Sequence, residues 1–206
     1  MTPQDIDREH DRLGYVLGWR FMMAPERNLR TSKIALILLN PGGSKYESSA
    51  WSQERGSAYV IERWKEMNPG QESLQVQVQG LCRVLNVDAS ETFSAVFVPF
   101  RSRNWQELSR QDEAVAFAKT LWRWALPQSP AHTFVCIGQK IVGPEIANLL
   151  SAKPLVPKLA GWGNYKINRY AAPDGRKVLA LPHLSRFGLF GREQSERAFL
   201  EALQQD

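Results

Sequence analysis

Apolar and polar positions along the chain follow two periods. Lys33 to Leu39, Phe93 to Val98 and Thr133 to Ile137 are short, near-continuous apolar runs, the pattern of strands covered on both faces. Tyr165 to Ala171 and Lys177 to Leu181 are two more, and Pro173-Asp174-Gly175 between them is hairpin-turn chemistry. Elsewhere apolar residues recur at helical spacing. Leu74, Val78, Leu81 and Leu85 mark a helix within Gln71 to Val87, and Val115, Ala118, Leu121, Trp122 and Ala125 mark one within Ser109 to Leu126. Gly56 to Met67, Gln139 to Leu150 and Glu193 to Gln204 also read as helical. Thr2, Pro3 and Asp5 supply a hydroxyl N-cap, a first-turn proline and an acid three residues after the cap, so a helix starts there. Ile6, Leu13, Val16, Leu17 and Phe21 are expected to share its buried face. Ser151 to Asn164, rich in Pro, Gly and Lys, reads as the longest loop. Strands alternating with helices predict an α/β fold: a three-layer α/β/α sandwich around a central, mainly parallel four-stranded sheet, in one domain over residues 1–206.

Composition narrows the class. Hydrophobic residues are 43% and charged residues 23%, which suits a globular protein and not a disordered one. No apolar run approaches the roughly 18 residues a membrane span needs, and the polar N-terminus is unlike a signal peptide. A cytoplasmic location without a membrane partner is therefore expected. Cys82, on a predicted helix, and Cys136, in a predicted strand, are too few to build a structural zinc site or hold an iron–sulfur cluster. Both are expected to pack as reduced apolar residues, and no metal or cofactor is expected. Lys and Arg outnumber Asp and Glu by 26 to 21, and the resulting +5 suits a polyanionic partner such as DNA. The chain is expected to act as a monomer.

Ligands of open α/β sheets bind beyond the carboxyl ends of the strands. Four loops qualify here, beginning at Asn40, at Pro99-Phe100-Arg101, at Gly138-Gln139 and at Pro182-His183. They bring an amide, an arginine, a second amide and an imidazole. The chain has no G-x-S-x-G, no P-loop lysine and no G-x-G-x-x-G, which argues against a hydrolase triad, an NTPase and a dinucleotide enzyme.

Asn40-Pro41-Gly42-Gly43-Ser44, directly after a buried strand, resembles the first motif of the uracil-DNA glycosylase superfamily. The match is nearest the mismatch-specific uracil/thymine and single-strand-selective branches. Leu181-Pro182-His183-Leu184-Ser185-Arg186-Phe187-Gly188 resembles the second motif, a loop after the last strand. Phe97-Val98-Pro99-Phe100-Arg101 and Val135-Cys136-Ile137-Gly138-Gln139-Lys140 resemble the intervening strand exits, so the likeness runs from about Lys33 to Phe190. It implies removal of a uracil-type or modified base from DNA by hydrolysis of the N-glycosidic bond, without a cofactor. That reaction builds positive charge on the sugar and negative charge on the leaving base. Asn40 would place the water, and His183 would stabilise the leaving base.

The resemblance also assigns binding roles. Pro41, Gly42, Gly43, Ser44 and Gly138 would line the substrate site, with Tyr46, Trp51 or Phe100 offering a ring to an extruded base. Leu184, Phe187 or Leu189 would enter the gap left in the helix, and Ser185 belongs to the same DNA-facing loop. Arg101, Arg103, Arg186 and Arg192 would hold phosphates. Val96 stands where many members use an asparagine to read the pyrimidine edge, and Leu184 where a proline often follows the histidine. Two alternatives stay open: a catalytically silent DNA- or nucleobase-binding module of the same fold, and an enzyme acting on small nucleosides or nucleotides.

Overall fold

The computed structural model describes Met1 to Gln204. Helix α1 (Pro3–Leu13) starts as its sequence requires: the Thr2 backbone N–H donates to Asp5 Oδ2 at 2.8 Å, closing a capping box. It stops at Gly14, whose φ of 72° ends the helix in the left-handed region. Val16 therefore leaves the helical face and is 75% exposed. Phe21 is buried by another route, in an extended segment whose Trp19 and Met22 bridge to Phe100 and Ala95.

Helix α2 (Asn28–Thr31) leads into β1 (Ile34–Leu38). Helix α3 (Ala58–Ile61) is one turn long where a longer helix is expected, because Ser57 and Glu62 on either side are extended. Then come α4 (Ser73–Val84), β2 (Phe93–Val96), α5 (Gln111–Ala125), β3 (Thr133–Ile137) and α6 (Val142–Leu149). The chain continues through β4 (Lys153–Leu159), β5 (Lys166–Ala171) and β6 (Lys177–Leu181) to α7 (Glu193–Gln204).

The sheet has six strands, not four, in the order β2-β1-β3-β6-β5-β4. The first four are mutually parallel, and β5 and β4 continue the sheet antiparallel. Strand β4 forms inside the segment expected to be a loop. Prolines 154 and 157, exposed Val156 and Leu159, and flanking lysines fit an edge strand, whose outer side has no ladder to donate to. Edge-strand chemistry and loop chemistry look alike in sequence.

Alternation along the parallel strands divides the core. In β1, Ala35 and Ile37 pack toward α1, α5 and α6, while Leu36 and Leu38 pack toward α3, α4 and α7. Both faces of the sheet are thus covered by helices, as near-continuous apolar strands demand. Trp122 of α5 anchors the first core. It is fully buried against Phe21, Phe93 and Phe97, and its indole N–H donates to Phe97 O at 3.0 Å. Cys82 and Cys136 are free and buried, one in each core, and burial pushes both thiols up, Cys82 to about 11. Among the described residues no helix is long and apolar enough to cross a membrane.

Candidate functional site

The register of the parallel strands aligns their carboxyl ends. Leu38 pairs with Ile137, and Ile137 with Leu181. Asn40 and His183 each lie two residues beyond this level, on strands that flank β3. Two inter-strand spacings separate them, roughly 10 Å between backbones. The residue between them at the exit of β3 is Gly138, whose φ of 148° suits glycine and whose added Cβ would press on Val142 at 3.0 Å, so the turn into α6 needs a glycine here. The chain order reverses at this place: β2 lies on one side of β1 and β3 on the other, the switch-point geometry that opens a crevice.

Asn40 is held by one end of its amide. Nδ2 donates to Ser102 Oγ at 2.8 Å, to Pro41 O at 3.2 Å and to Phe100 O at 3.3 Å. The two carbonyls can only accept, so they fix which end of the amide faces inward. Oδ1 is thereby turned outward, with no hydrogen-bond partner among the described residues and without being buried. Ser102, two residues past the β2 exit loop's Phe100, gives no sequence signal for this role. It is buried, and its hydroxyl passes its own proton to Asn104 O at 2.8 Å, which leaves its lone pair for Asn40.

His183 is held by the other side of its ring chemistry. The Ser185 backbone N–H donates to Nδ1 at 3.3 Å, with Ser185 Oγ at 2.8 Å from the same atom. An accepting Nδ1 places the proton of the neutral ring on Nε2. The turn is closed by the N–H groups of Arg186 and Phe187, which donate to His183 O at 2.9 and 3.2 Å. The residue is exposed as a whole, yet the protein around its ring removes enough water to lower the imidazole below its ordinary value of 6.5. Desolvation is the largest cause and the Arg186 charge adds to it, against a weaker opposing pull from Glu72. The neutral Nε2–H tautomer is the state these contacts favour.

Other expected site residues divide. Gly42, Gly43, Ser44 and Tyr46 lie in an exposed run after buried Pro41, with Tyr46 68% exposed. Ser185, Arg186, Arg103 and Arg192 are also exposed. Arg101 is not a rim charge. It is 7% exposed, and its guanidinium donates to Gly42 O and to Glu47 Oε2, the latter at 2.6 Å. It clamps the loop that follows Asn40. Phe100 offers no face to a base, because it is fully buried against Tyr15 and Phe117. Trp51 is half-buried and spends its faces on Phe21 and Trp124. Leu184 and Leu189 are buried in the second core and cannot act as wedges as they stand. Phe187 packs on Tyr165 and Trp162. Gln139 turns its amide back to Lys166 O and Ala180 O, tying the β3 exit to the neighbouring strands.

Two hollows lie away from these strand ends. One is a shallow groove at the start of α5, lined by Leu108 and residues 110–113; the other, about 220 Å³, lies among β4, β5, β6 and α7. Neither lies between Asn40 and His183. Among the described residues no three His, Cys, Asp or Glu side chains come together as a metal site. No known family model matches the chain, and no curated protein matches its sequence.

Proposed function

We propose that the protein hydrolyses an N-glycosidic bond in DNA, on a three-layer α/β/α fold of the uracil-DNA glycosylase type. The observation that carries this reading is the complementary state of two aligned groups. Asn40 keeps an outward Oδ1 with no partner, and His183 a neutral ring whose proton is on Nε2. One accepts a hydrogen bond from water; the other donates one to an oxygen.

The chemistry follows from those two ends. Asn40 Oδ1 accepts a hydrogen bond from a water and aims its lone pair at the sugar C1′. As the C1′–N bond breaks, its electron pair leaves with the base and the sugar becomes positive; the water oxygen then bonds C1′ and loses its proton to solvent, while the departing base anion takes a proton from solvent. His183 Nε2–H donates to the base oxygen on which negative charge collects. A donor in such a position is worth about 3–4 kcal/mol, or 10²–10³ in rate. An amide is a weak base, so water is oriented more than activated, and the enzyme is slow unless the leaving base is already stabilised. The exposed run 42–49 and the exposed residues His183, Ser185 and Arg186 of the β6 exit loop close over the base on binding and exclude bulk water. Val96 is 2% exposed and packed in the core with α3 and α4, so it reads no base edge. Discrimination then rests on how readily a base is extruded and how well it leaves.

The test is strand scission by alkali after incubation with oligonucleotides carrying uracil, thymine mismatches and modified bases. Scission on at least one substrate, reduced 10²-fold or more in Asn40→Ala and in His183→Ala, is expected. Salt-sensitive binding with no scission on any substrate would identify the silent module instead. Absent DNA binding would favour an enzyme on free nucleosides.

A further inference from the structure

The chain's basic excess is not spread evenly. Residues 151–192 carry Lys153, Lys158, Lys166, Arg169, Arg176, Lys177, Arg186 and Arg192 against one acid, Asp174, which pairs with Arg176 at 2.6 Å. Outside this stretch the chain, with 26 basic and 21 acidic residues in all, is slightly acidic: 18 against 20. This segment is the antiparallel extension of the sheet, the parallel strand β6 beside it and the His183 loop.

An aromatic cluster sits where the two meet. Tyr165 and Phe187 rings are 4.2 Å apart between centroids, and Trp162 meets Phe187 edge-on at 5.4 Å. The Arg192 guanidinium lies 4.8 Å over the Trp162 ring. Trp162 and Phe187 are half-buried and back onto the second core, whereas Tyr165 is 44% exposed. Lys166, beside Tyr165, and Arg186, beside Phe187, are both exposed. Phe187 belongs to the turn closed on His183 O, so the cluster is joined to the proposed catalytic imidazole by four residues of chain.

We propose that Trp162, Tyr165 and Phe187, with Arg192 and Arg186, form a platform for an unpaired nucleic-acid strand alongside the His183 loop. An exposed ring backed by packed rings is a rigid surface for a base, and guanidinium groups at its edge meet the phosphates. Stacking tolerates any base, so the platform grips the strand without reading sequence. It deepens the glycosylase reading by naming single-stranded DNA as the form held beside the site, and it rests on that reading only for the role of the strand, not for excision itself.

The experiment uses undamaged single-stranded DNA, so that binding is measured apart from catalysis. Fluorescence anisotropy is followed for the wild type, Tyr165→Ala, Arg192→Ala and the conservative Tyr165→Phe, with duplex of the same length as comparison. Tyr165→Ala is expected to weaken single-strand binding about tenfold, the size of one lost base–ring stack, while Tyr165→Phe restores it. Arg192→Ala should also flatten the salt dependence. Photo-crosslinking with 5-iodouracil in the strand should label Tyr165, Trp162 or Phe187. Unchanged affinity in Tyr165→Ala, or cross-links confined to other faces, overturns the platform even if excision is found. Tyr165-dependent binding without any excision keeps the platform and removes the glycosylase.

Discussion

Replacing Asn40 by Asp tests which end of the amide is pinned. The side chain's two N–H bonds are shared among three acceptors within 3.3 Å: Ser102 Oγ and the carbonyls of Pro41 and Phe100. An ionised aspartate keeps the shape and offers no proton. Two backbone carbonyls lose their donor and face a negative oxygen instead, at a cost of about 2–4 kcal/mol. For a chain of this size each kcal/mol moves the melting temperature by roughly 2–4 °C, so a fall of about 4–16 °C is expected near pH 7.5. The protonated acid regains one O–H donor and recovers part of the loss. Its folded pKa is thus raised above the unfolded value of about 3.9, so the recovered stability is complete below that value and disappears as pH rises through the folded pKa. Circular-dichroism melts of Asn40→Asp and wild type at pH 4.5 and 7.5 check this, taking the difference between the proteins at each pH. Asn40→Ala is the control, with a smaller deficit of the same size at both. A deficit in Asn40→Asp that is absent at pH 7.5, or equal at the two pH values, would mean that the nitrogen is not the held end and that Oδ1 is not presented to a substrate.

Two further outcomes are expected. The His183 imidazole should titrate below 6.5 by NMR, since desolvation and Arg186 disfavour its charged form. A lowered histidine leaves stability intact above the unfolded value of about 6.5 and removes it as pH falls from there to the folded pKa, so His183→Gln should lose less stability than wild type between pH 7 and 5; a midpoint at or above 6.5 contradicts this. Trp122→Ala, which empties the centre of the first core and strands Phe97 O, should cost about 3–5 kcal/mol in denaturant unfolding, and a loss under 1 kcal/mol would show that the cavity collapses freely.

The strands buried on both faces were the most legible part of the fold, because their apolar runs admit no other period of burial. Strand β3 (Thr133–Ile137), strand β6 (Lys177–Leu181) and helix α7 (Glu193–Gln204) lie where periodicity places them. The failures have local causes. Gly14 ends α1 before Val16, although an apolar residue falls at the helical spacing there. Strand β4 hides behind prolines and lysines that protect an edge. At the site, strand-end position singles out Asn40 and His183, but the orientation of each depends on partners that are silent in sequence: Ser102, 62 residues away, and the N–H of Ser185. Arg101 and Phe100 depart from expectation because residues at strand exits turn inward as readily as outward. Arg101 found Glu47 and Gly42 O, and Phe100 found a core formed with α1 and α5. Trp162 gives no signal because Ser151 to Asn164 reads as a loop, and Tyr165 none because it reads as the first residue of an ordinary strand, Tyr165 to Ala171.

The most direct test is a crystal structure with an oligonucleotide bearing a 2′-fluoro nucleotide, which resists glycosidic cleavage, at the position of the base proposed to be excised. The extruded base should lie between the ends of β1 and β6, over Gly138, with a base oxygen within hydrogen-bond reach of His183 Nε2 and a water on Asn40 Oδ1 facing C1′. A base left in its stack, or seated where neither atom reaches it, would contradict the proposed chemistry.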